Sequence, residues 1–279
     1  MVLNYPLNAP AKRSRRSSIA CDKSSKILNL CNETLNLLIF YSTLRLGGLA
    51  ASLDLRLREA RGNQLDHLEF LELLLQDELN IREQRQIERR TKIAAFREKR
   101  TLDSFDFSFN PCIDRRQIHD LATGRFLDKA EDILLIGPPG VGKSHLAQAI
   151  GHELIKSGKN VLYRSIFDLL SDLRDDGIDQ RHERTMKRYL KCDLLIIDDM
   201  GIAQLPPKSG EYLFEIIMRR YEVRSTLMTS NRPLEEWGKL IGDVPAATAI
   251  LDRFLHHANL IKIKGKSYRM KEAAQTAID

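Results

Sequence analysis

The chain has 279 residues, of which 43% are hydrophobic and 29% charged, and its formal net charge at pH 7 is +6. This composition excludes a largely disordered chain, and no apolar run approaches the roughly 20 residues that a membrane-spanning helix needs. The four cysteines, at positions 21, 31, 112 and 192, have no C-x-x-C spacing and no neighbouring histidines, which argues against a disulfide framework and against a zinc site. We therefore expect a cytoplasmic protein with two domains of unequal size.

The excess positive charge lies in the N-terminal third of the chain. Residues 1–100 hold 18 Lys and Arg against 12 Asp and Glu, whereas residues 101–279 hold 26 of each kind. Within the first part, the segment 81–100 has eight basic and three acidic side chains. This asymmetry favours a polyanionic partner.

Four basic residues of this segment recur at offsets of 0, 3, 7 and 10, which places them on one face of a predicted helix: Arg82, Arg85, Arg89 and Lys92. A row of cations at this spacing suits contact with successive phosphates. Ordinary solvated helix surface, with Glu83 and Glu88 interleaved, is the alternative. The basic stretch 262–271 is a candidate for a second contact or for a simple surface hairpin.

Composition and periodicity divide the chain into four parts. Residues 1–25 lack apolar periodicity and predict a flexible basic tail. From 26 to 100, Leu, Ile and Ala recur every three or four residues, which predicts a small all-α domain that binds DNA or a partner, with helices near 26–42, 45–61, 67–79 and 79–99. A connector at 101–114 carries three phenylalanines spaced two apart, which favours an extended segment lying on the next domain, at 115–279.

The segment 115–279 has the pattern of an α/β domain. After a short helix near 113–122, apolar runs alternate with amphipathic helices. This alternation predicts a mostly parallel five-stranded sheet between helices. The five runs lie at 133–137, 160–164, 193–198, 225–231 and 260–265.

A phosphate-binding motif follows the first of these strands. The stretch "GPPGVGKS" matches G-x-x-x-x-G-K-[ST] and leads directly into a predicted helix, which is the context that this motif requires. We expect Lys143 to reach the β- and γ-phosphates of ATP and the Ser144 hydroxyl to ligate Mg²⁺, whereas a glycine-rich structural turn is the alternative. The expected nucleotide-binding residues are Gly137, Pro138, Pro139, Gly140, Val141, Gly142, Lys143, Ser144 and His145.

Two adjacent carboxylates end the strand in "CDLLIIDDMG". Asp198 is placed to support the metal, and Asp199, one residue on, to orient and polarise the attacking water. A turn-capping role for Asp199 is the alternative. At the end of the next strand, Asn231 could hold the water or the γ-phosphate, or could simply form the turn.

Two arginines end the helix that precedes this last strand. Arg219 and Arg220 could reach the nucleotide of a neighbouring subunit, because a guanidinium stabilises charge on the transferred phosphate. Solvated helix-end charge is the alternative.

Together these residues resemble the AAA+ ATPases of the helicase-loader branch, and most closely the IstB-type ATP-binding helper proteins of insertion-sequence transposition. The resemblance rests on "GPPGVGKSHLAQAIG", "DLLIIDDMG", "STLMTSNRPLEEW" and "AILDRFLHHANLIKIKGKSYR", and it covers about residues 30–270. It implies that Asn231 is the first sensor, that Arg253 in "ILDRF" is the sensor arginine of the C-terminal lid, and that Arg220 or Arg219 is a finger acting in trans. Asp199 stands where many AAA+ proteins have a catalytic Glu.

The resemblance also implies a function. Such helpers hydrolyse ATP, bind double-stranded DNA without strong sequence preference, assemble into homo-oligomers on it, and recruit or stimulate a partner transposase. A replicative helicase loader is the alternative within the same fold, and a small-molecule P-loop kinase is a third candidate that should respond neither to DNA nor to a neighbour's arginine.

Overall fold

The computed structural model describes residues 40–41, 43–174 and 179–271 of the chain. The predicted tail at 1–25 and most of the helix predicted at 26–42 lie outside these residues. The chain divides into two compact units, Met1–Arg85 and Gln86–Asp279. The connector 101–114 therefore belongs to the same unit as the sheet.

The described part of the first unit is helical. Residues 40, 41 and 43 are helical, and two longer helices follow, α1 (Gly47–Asn63) and α2 (His67–Ala94), the second of which continues past the division at Arg85. The helices predicted at 67–79 and 79–99 are thus one helix, because no glycine or proline interrupts the sequence between them.

A buried carboxylate ties these two helices together. Leu49 and Leu53 of α1 form a small core with Leu74 of α2. Beside it, the Glu78 carboxylate accepts hydrogen bonds from the backbone N–H groups of Gly48 (2.6 Å) and Leu49 (3.0 Å). It thereby caps the first turn of α1 from a different helix, where α1 has no side-chain cap of its own.

The second unit contains a five-stranded sheet in the order β2-β3-β4-β1-β5, in which every neighbouring pair is parallel. This confirms the predicted sheet. The strands are β1 (Asp132–Ile136), β2 (Val161–Ser165), β3 (Leu194–Met200), β4 (Ser225–Ser230) and β5 (Ala258–Lys262).

Helices cover the sheet on two sides. Alternate residues of β3 belong to two different apolar clusters, Leu195 and Ile197 to one and Leu194 and Ile196 to the other. Both faces are therefore buried, which explains the continuous apolar runs. The α-helices of this unit beyond α2 are α3 (Arg115–Ala122), α4 (Arg125–Asp128), α5 (Lys143–Lys156), α6 (Ile166–Arg174), α7 (Asp179–Lys191), α8 (Ser209–Arg220), α9 (Trp237–Ile241) and α10 (Val244–His256), with a short 3₁₀ helix at Leu234–Glu236.

The aromatic connector packs against the sheet unit, but it is folded into turns and is not extended. Phe105 and Phe107 contact the cluster that includes α5. Its polar side chains favour turns over strand, because Asp106 accepts hydrogen bonds from the backbone N–H groups of Ser108 and Phe109. The alternating aromatics thus mark contact with the domain, although the local backbone is set by the residues between them.

Among the described residues, no helix combines the length and the apolar character needed to cross a membrane.

Asp132, the first residue of β1, is a buried carboxyl group. It is 8% exposed and accepts a hydrogen bond from the backbone N–H of Thr226 at 2.6 Å. Burial raises its pKa from 3.8 to about 7, against the opposing effects of that hydrogen bond and of the Arg220 charge.

Asp132→Asn should therefore change the pH dependence of stability. Because the folded-state pKa lies above the unfolded one, the stabilising contribution of the protonated group is complete below pH 3.8 and is lost as pH rises through about 7. Relative to the variant, the wild type should lose at most about 4 kcal/mol of unfolding free energy over this range. Urea unfolding at about pH 4 and about pH 8 measures this loss of unfolding free energy. Asp103→Asn, at an exposed position, should show the same pH dependence of unfolding free energy as the wild type. If Asp132→Asn also showed that dependence, the raised pKa would not belong to Asp132.

Candidate nucleotide-binding site

The loop 137–142 joins the end of β1 to the start of α5 and curls around an open space. Gly140 and Gly142 have φ values of 81° and 101°, in the left-handed region that glycine adopts without strain. A Cβ at Gly142 would lie 2.6 Å from the Phe105 ring. Gly142 is also the N-cap residue of α5 and provides no side-chain cap, so the N–H groups of the first turn are available to an anion.

Lys143 lies inside this loop. Its side chain is part-buried, and its ammonium donates to the carbonyl oxygens of Gly137 (2.7 Å) and Pro138 (2.8 Å). Burial lowers the pKa of Lys143 to about 8, although the charges of Asp198 and Asp199 oppose the shift. A phosphate oxygen would supply the full counter-charge that these two carbonyl groups only partly replace.

Asp198 is held by three hydroxyl groups. It is 1% exposed, and its carboxylate accepts hydrogen bonds from Ser144 Oγ (2.9 Å), Tyr163 Oη (2.5 Å) and Thr229 Oγ1. Burial and the Asp198 charge raise the pKa of Tyr163, so its phenol remains a proton donor. The Ser144 hydroxyl and the Asp198 carboxylate are hard oxygen ligands in direct contact, a donor set that fits Mg²⁺.

Asp199 points to a different partner because β3 bulges at this place. The register of β3 with β4 shifts between Ile197 and Met200, so two residues of β3 lie opposite one of β4. Asp199 has a φ of 68°, and its N–H donates to Thr229 Oγ1 at 3.1 Å. The bulge therefore lets two adjacent carboxylates face separate groups.

The Asp199 carboxylate forms an ion pair with Arg97, which follows α2 in the chain. Arg97 Nη1 donates to Asp199 Oδ2 at 2.8 Å, and Nη2 lies 3.8 Å from Asp168. Burial and the neighbouring Asp198 charge raise the pKa of Asp199, while Arg97 opposes this. A carboxyl group with these neighbours is suited to accept a proton once the arginine has moved.

These residues line one cavity of about 770 Å³. It brings together most of the predicted nucleotide-site residues, including Lys143, Ser144, Asp198, Asp199 and Asn231. The connector and the C-terminal segment also contribute lining groups, and the Tyr268 N–H of the latter donates to Gly140 O at 2.9 Å.

His145 also lines this cavity, next to the connector. Its Nε2 lies 2.9 Å from Thr101 O and 3.2 Å from Ser104 Oγ, and burial lowers its pKa. The imidazole is therefore neutral near pH 7 and forms part of the contact between α5 and the connector.

Sequence reasoning missed several residues of the cavity. Arg97 and Arg269 line it, as do Tyr163 and Arg232. Arg269 belongs to the basic stretch 262–271, which the sequence offers only as a DNA contact or a hairpin. Tyr163 and Thr229 became recognisable only from the strand order, because β2 and β4 flank the strand that carries Asp198.

Arg220 has a structural position that excludes the predicted role in trans. It is 2% exposed, and its guanidinium donates to the carbonyl oxygens of Tyr189 (2.7 Å), Cys192 (3.1 Å) and Ser225 and to Thr226 Oγ1 (3.1 Å). The prediction of Arg220 as a finger is wrong, because reaching another subunit would leave these buried acceptors unpaired. Its neighbour Arg219 is exposed and pairs with Glu215 at 2.8 Å.

Arg253 lies away from the cavity. Its guanidinium stacks over the Tyr221 ring at 5.6 Å and donates to Asp252 at 3.0 Å. It is near the end of α10, just before β5, whose first residue Ala258 pairs with Asp132 at the beginning of β1. This is the end of the sheet opposite the phosphate loop, and the assignment of Arg253 as the sensor arginine of the C-terminal lid stays a prediction.

The predicted DNA-contacting residues all lie on α2 and are exposed: Arg82, Arg85, Arg89 and Lys92. Arg82 also forms an ion pair with Glu78 at 2.6 Å. Their exposure is compatible with the predicted contact and with solvated helix surface alike.

The parallel sheet, the phosphate loop and the acidic strand end define a nucleotide-binding protein of the P-loop class. The chain belongs to the family described as IstB-like ATP binding protein, whose model matches residues 40–276. The resemblance stated from the sequence is confirmed.

Individual relatives support this assignment. The chain is 40% identical to the insertion sequence IS5376 putative ATP-binding protein of Geobacillus stearothermophilus over 76% of this chain and 85% of that one. It is 38% identical to the IS21 putative ATP-binding protein of Pseudomonas aeruginosa over 86% and 91%. AMPPCP-bound DnaA from Aquifex aeolicus shares the fold, with a TM-score of 0.50 and 22% identity over 66% of this chain and 56% of DnaA.

Lys143→Ala should weaken ATP binding about 10- to 100-fold, because a charge-assisted hydrogen bond contributes about 1.5–3 kcal/mol. The affinity of the wild type should also fall as pH rises through about 8, where free Lys143 loses its proton, whereas the variant should lack this step. Titration with a fluorescent ATP analogue at several pH values measures both effects. Lys159→Ala, which removes a partly exposed lysine outside the cavity, is the matched control, and equal affinity of the two variants would contradict the role of Lys143.

Proposed function

We propose that the chain is a transposition helper ATPase that assembles on duplex DNA with ATP bound, recruits or stimulates a partner transposase, and hydrolyses ATP to control that assembly. The observation that carries the catalytic part is the contact of Ser144 with Asp198 beside the half-buried Asp199 in one cavity. The printed names of the relatives, as ATP-binding proteins of insertion sequences, support the context of transposition.

In this proposal each side chain of the cavity has one task. Lys143 and the loop N–H groups bind the β- and γ-phosphates, and the Ser144 hydroxyl and Asp198 hold Mg²⁺, which when bound neutralises charge on the phosphates. Tyr163 and Thr229 keep the Asp198 carboxylate in one orientation.

The hydrolytic step depends on Asp199. Its carboxylate orients a water molecule toward the γ-phosphate and takes up a proton as the water oxygen attacks phosphorus and the bond from that phosphorus to the β-γ bridging oxygen breaks, which releases ADP, while Asn231 positions the water. The ion pair with Arg97 opposes protonation of Asp199, because the guanidinium stabilises the ionised carboxylate, so opening of this pair favours the proton transfer. Arg269, also at the cavity, adds positive charge on the phosphate side.

Assembly would complete the site from a second copy of the chain. Arg219 is the remaining candidate for a finger in trans, because it is exposed and its partner Glu215 lies on the same helix. A surface ion pair of this kind contributes little and is readily exchanged for a phosphate.

In this proposal duplex DNA binds to the row of exposed cations on α2, which consists of Arg82, Arg85, Arg89 and Lys92. The row carries no base-reading arrangement, so binding should depend on charge and on DNA shape.

Asp199→Asn should lower the ATP hydrolysis rate at least about 100-fold and leave ATP affinity within a factor of a few, since general-base catalysis typically contributes 10²–10⁴-fold. The wild-type rate should increase with pH through the raised pKa of Asp199, and the variant should lose this dependence. Phosphate release and nucleotide titration separate the two effects. Asp168→Asn, which removes the other carboxylate beside Arg97, is the control. If Asp199→Asn did not lower the rate and Asp199→Glu left it unchanged, Asp199 would not be the base.

The combined Arg85→Ala and Arg89→Ala variant should weaken duplex binding on all sequences and reduce the slope of log affinity against log salt by about two. Fluorescence anisotropy at several salt concentrations measures this. A combined Arg125→Ala and Lys129→Ala variant, which removes two exposed cations elsewhere, is the control.

The ATPase rate and the particle size of the wild type, with and without duplex DNA, test the function itself, and we expect both to increase with DNA. A monomer whose ATPase rate ignores DNA would refute the helper function.

A further inference from the structure

Two loops with metal-binding side chains meet at the edge of the sheet opposite the phosphate loop. One is the turn 221–224 between α8 and β4, and the other is the end of α10 before β5. The two loops are neighbours because β4 and β5 lie parallel to β1, one on each side, so all three strands begin at the same end of the sheet.

Glu222, His256 and His257 are brought together there. One ligand atom from each of the three side chains lies within 4.8 Å of the other two. His257 Nε2 is 3.4 Å from Glu222 Oε1. In a tetrahedral zinc site with bonds of about 2.0–2.1 Å, neighbouring ligand atoms are separated by about 3.3 Å. Two of the three ligands therefore already have the required separation, and the third needs only a side-chain adjustment.

The backbone positions of these ligands are fixed. The carbonyl oxygen of His257 accepts a hydrogen bond from the Asp132 N–H at 3.2 Å, which holds it to β1. The turn that carries Glu222 begins immediately after Arg220, whose buried guanidinium joins that point to Tyr189, Cys192 and Ser225. Arg220 thus anchors one side of the cluster and the sheet anchors the other.

Two further observations indicate more than an ion pair between Glu222 and His257. Glu222 has a φ of 57°, a conformation that costs free energy in a residue other than glycine and that often marks functional positions. The Tyr221 hydroxyl lies 2.7 Å from His256 Nδ1, the type of outer hydrogen bond that orients a metal-binding imidazole.

We propose that Glu222, His256 and His257 form a binding site for a divalent transition-metal ion of the Zn²⁺ type. Two imidazole nitrogens and one carboxylate select Zn²⁺ over Mg²⁺, so this ion is distinct from the one expected at the nucleotide. The three ligands come from one side and are exposed, which leaves a coordination position open to water or to a side chain of another molecule. The nearby Arg253 is paired with Asp252, so its charge is partly neutralised.

The test is Zn²⁺ binding to the full chain in excess MgCl₂, measured by isothermal titration with ZnCl₂ and by the visible absorption of Co²⁺ as a substitute. We expect one ion per chain in the wild type. His256→Ala, His257→Ala and Glu222→Gln should each weaken binding by more than about tenfold, and Tyr221→Phe by about tenfold, the effect typical of an outer partner.

Two controls separate this site from other causes. His67→Ala removes an exposed histidine elsewhere and should bind Zn²⁺ as the wild type does. All variants should bind the fluorescent ATP analogue normally, which verifies folding and makes the result independent of the proposed ATPase function. Failure of the wild type to bind Zn²⁺ would overturn the proposal. Unchanged Zn²⁺ affinity in His256→Ala and His257→Ala would also overturn it, because the ion would then bind elsewhere on the chain.

Discussion

The nucleotide-binding site depends on one buried carboxylate, that of Asp198. Three separate elements donate hydroxyl groups to it: Ser144 at the start of α5, Tyr163 on β2 and Thr229 on β4. A buried charge is costly unless it is fully hydrogen-bonded, so these contacts fix the position of β3 relative to the strands on both sides and to the phosphate loop. The hydrogen bonds that offset the cost of burying the Asp198 carboxylate also hold it in a fixed orientation in which it can bind a cation.

The bulge after Asp198 gives the next residue a different environment. Asp198 is enclosed by hydroxyl groups, whereas Asp199 lies at the cavity and pairs with Arg97. Thr229 serves both, because its hydroxyl group donates to the Asp198 side chain and accepts from the Asp199 backbone. One threonine thus separates the two carboxylates in space and in charge environment. In the proposed mechanism, that separation is what allows one to bind metal and the other to accept a proton.

The features that sequence predicted correctly depend on local pattern. The phosphate loop is contiguous, and the apolar runs of the strands are long enough to identify a doubly covered parallel sheet. The errors concern residues whose environment is set by distant parts of the chain. Arg220 has the charge of a surface residue but is buried, where its guanidinium donates hydrogen bonds to the carbonyl oxygens of Tyr189, Cys192 and Ser225. Arg253 was assigned by resemblance alone, and the path of α10 into β5, which places it at the end of the sheet away from the phosphate loop, has no local signal in the sequence. Arg97 and Arg269 are distant in sequence from the loop that they approach, and no local spacing identifies them. Likewise, the absence of a cysteine pattern says nothing about Glu222, His256 and His257, which only the sheet order brings together.

The close approach of Phe105 to Gly142 brings the connector into direct contact with the phosphate loop. A side chain larger than hydrogen at residue 142 would occupy the space of the aromatic ring, besides straining the backbone. A larger residue at position 142 would therefore require the Phe105 ring to move or to be replaced by a smaller side chain. The connector is thus a physical part of the phosphate loop, even though it contains none of the motif residues.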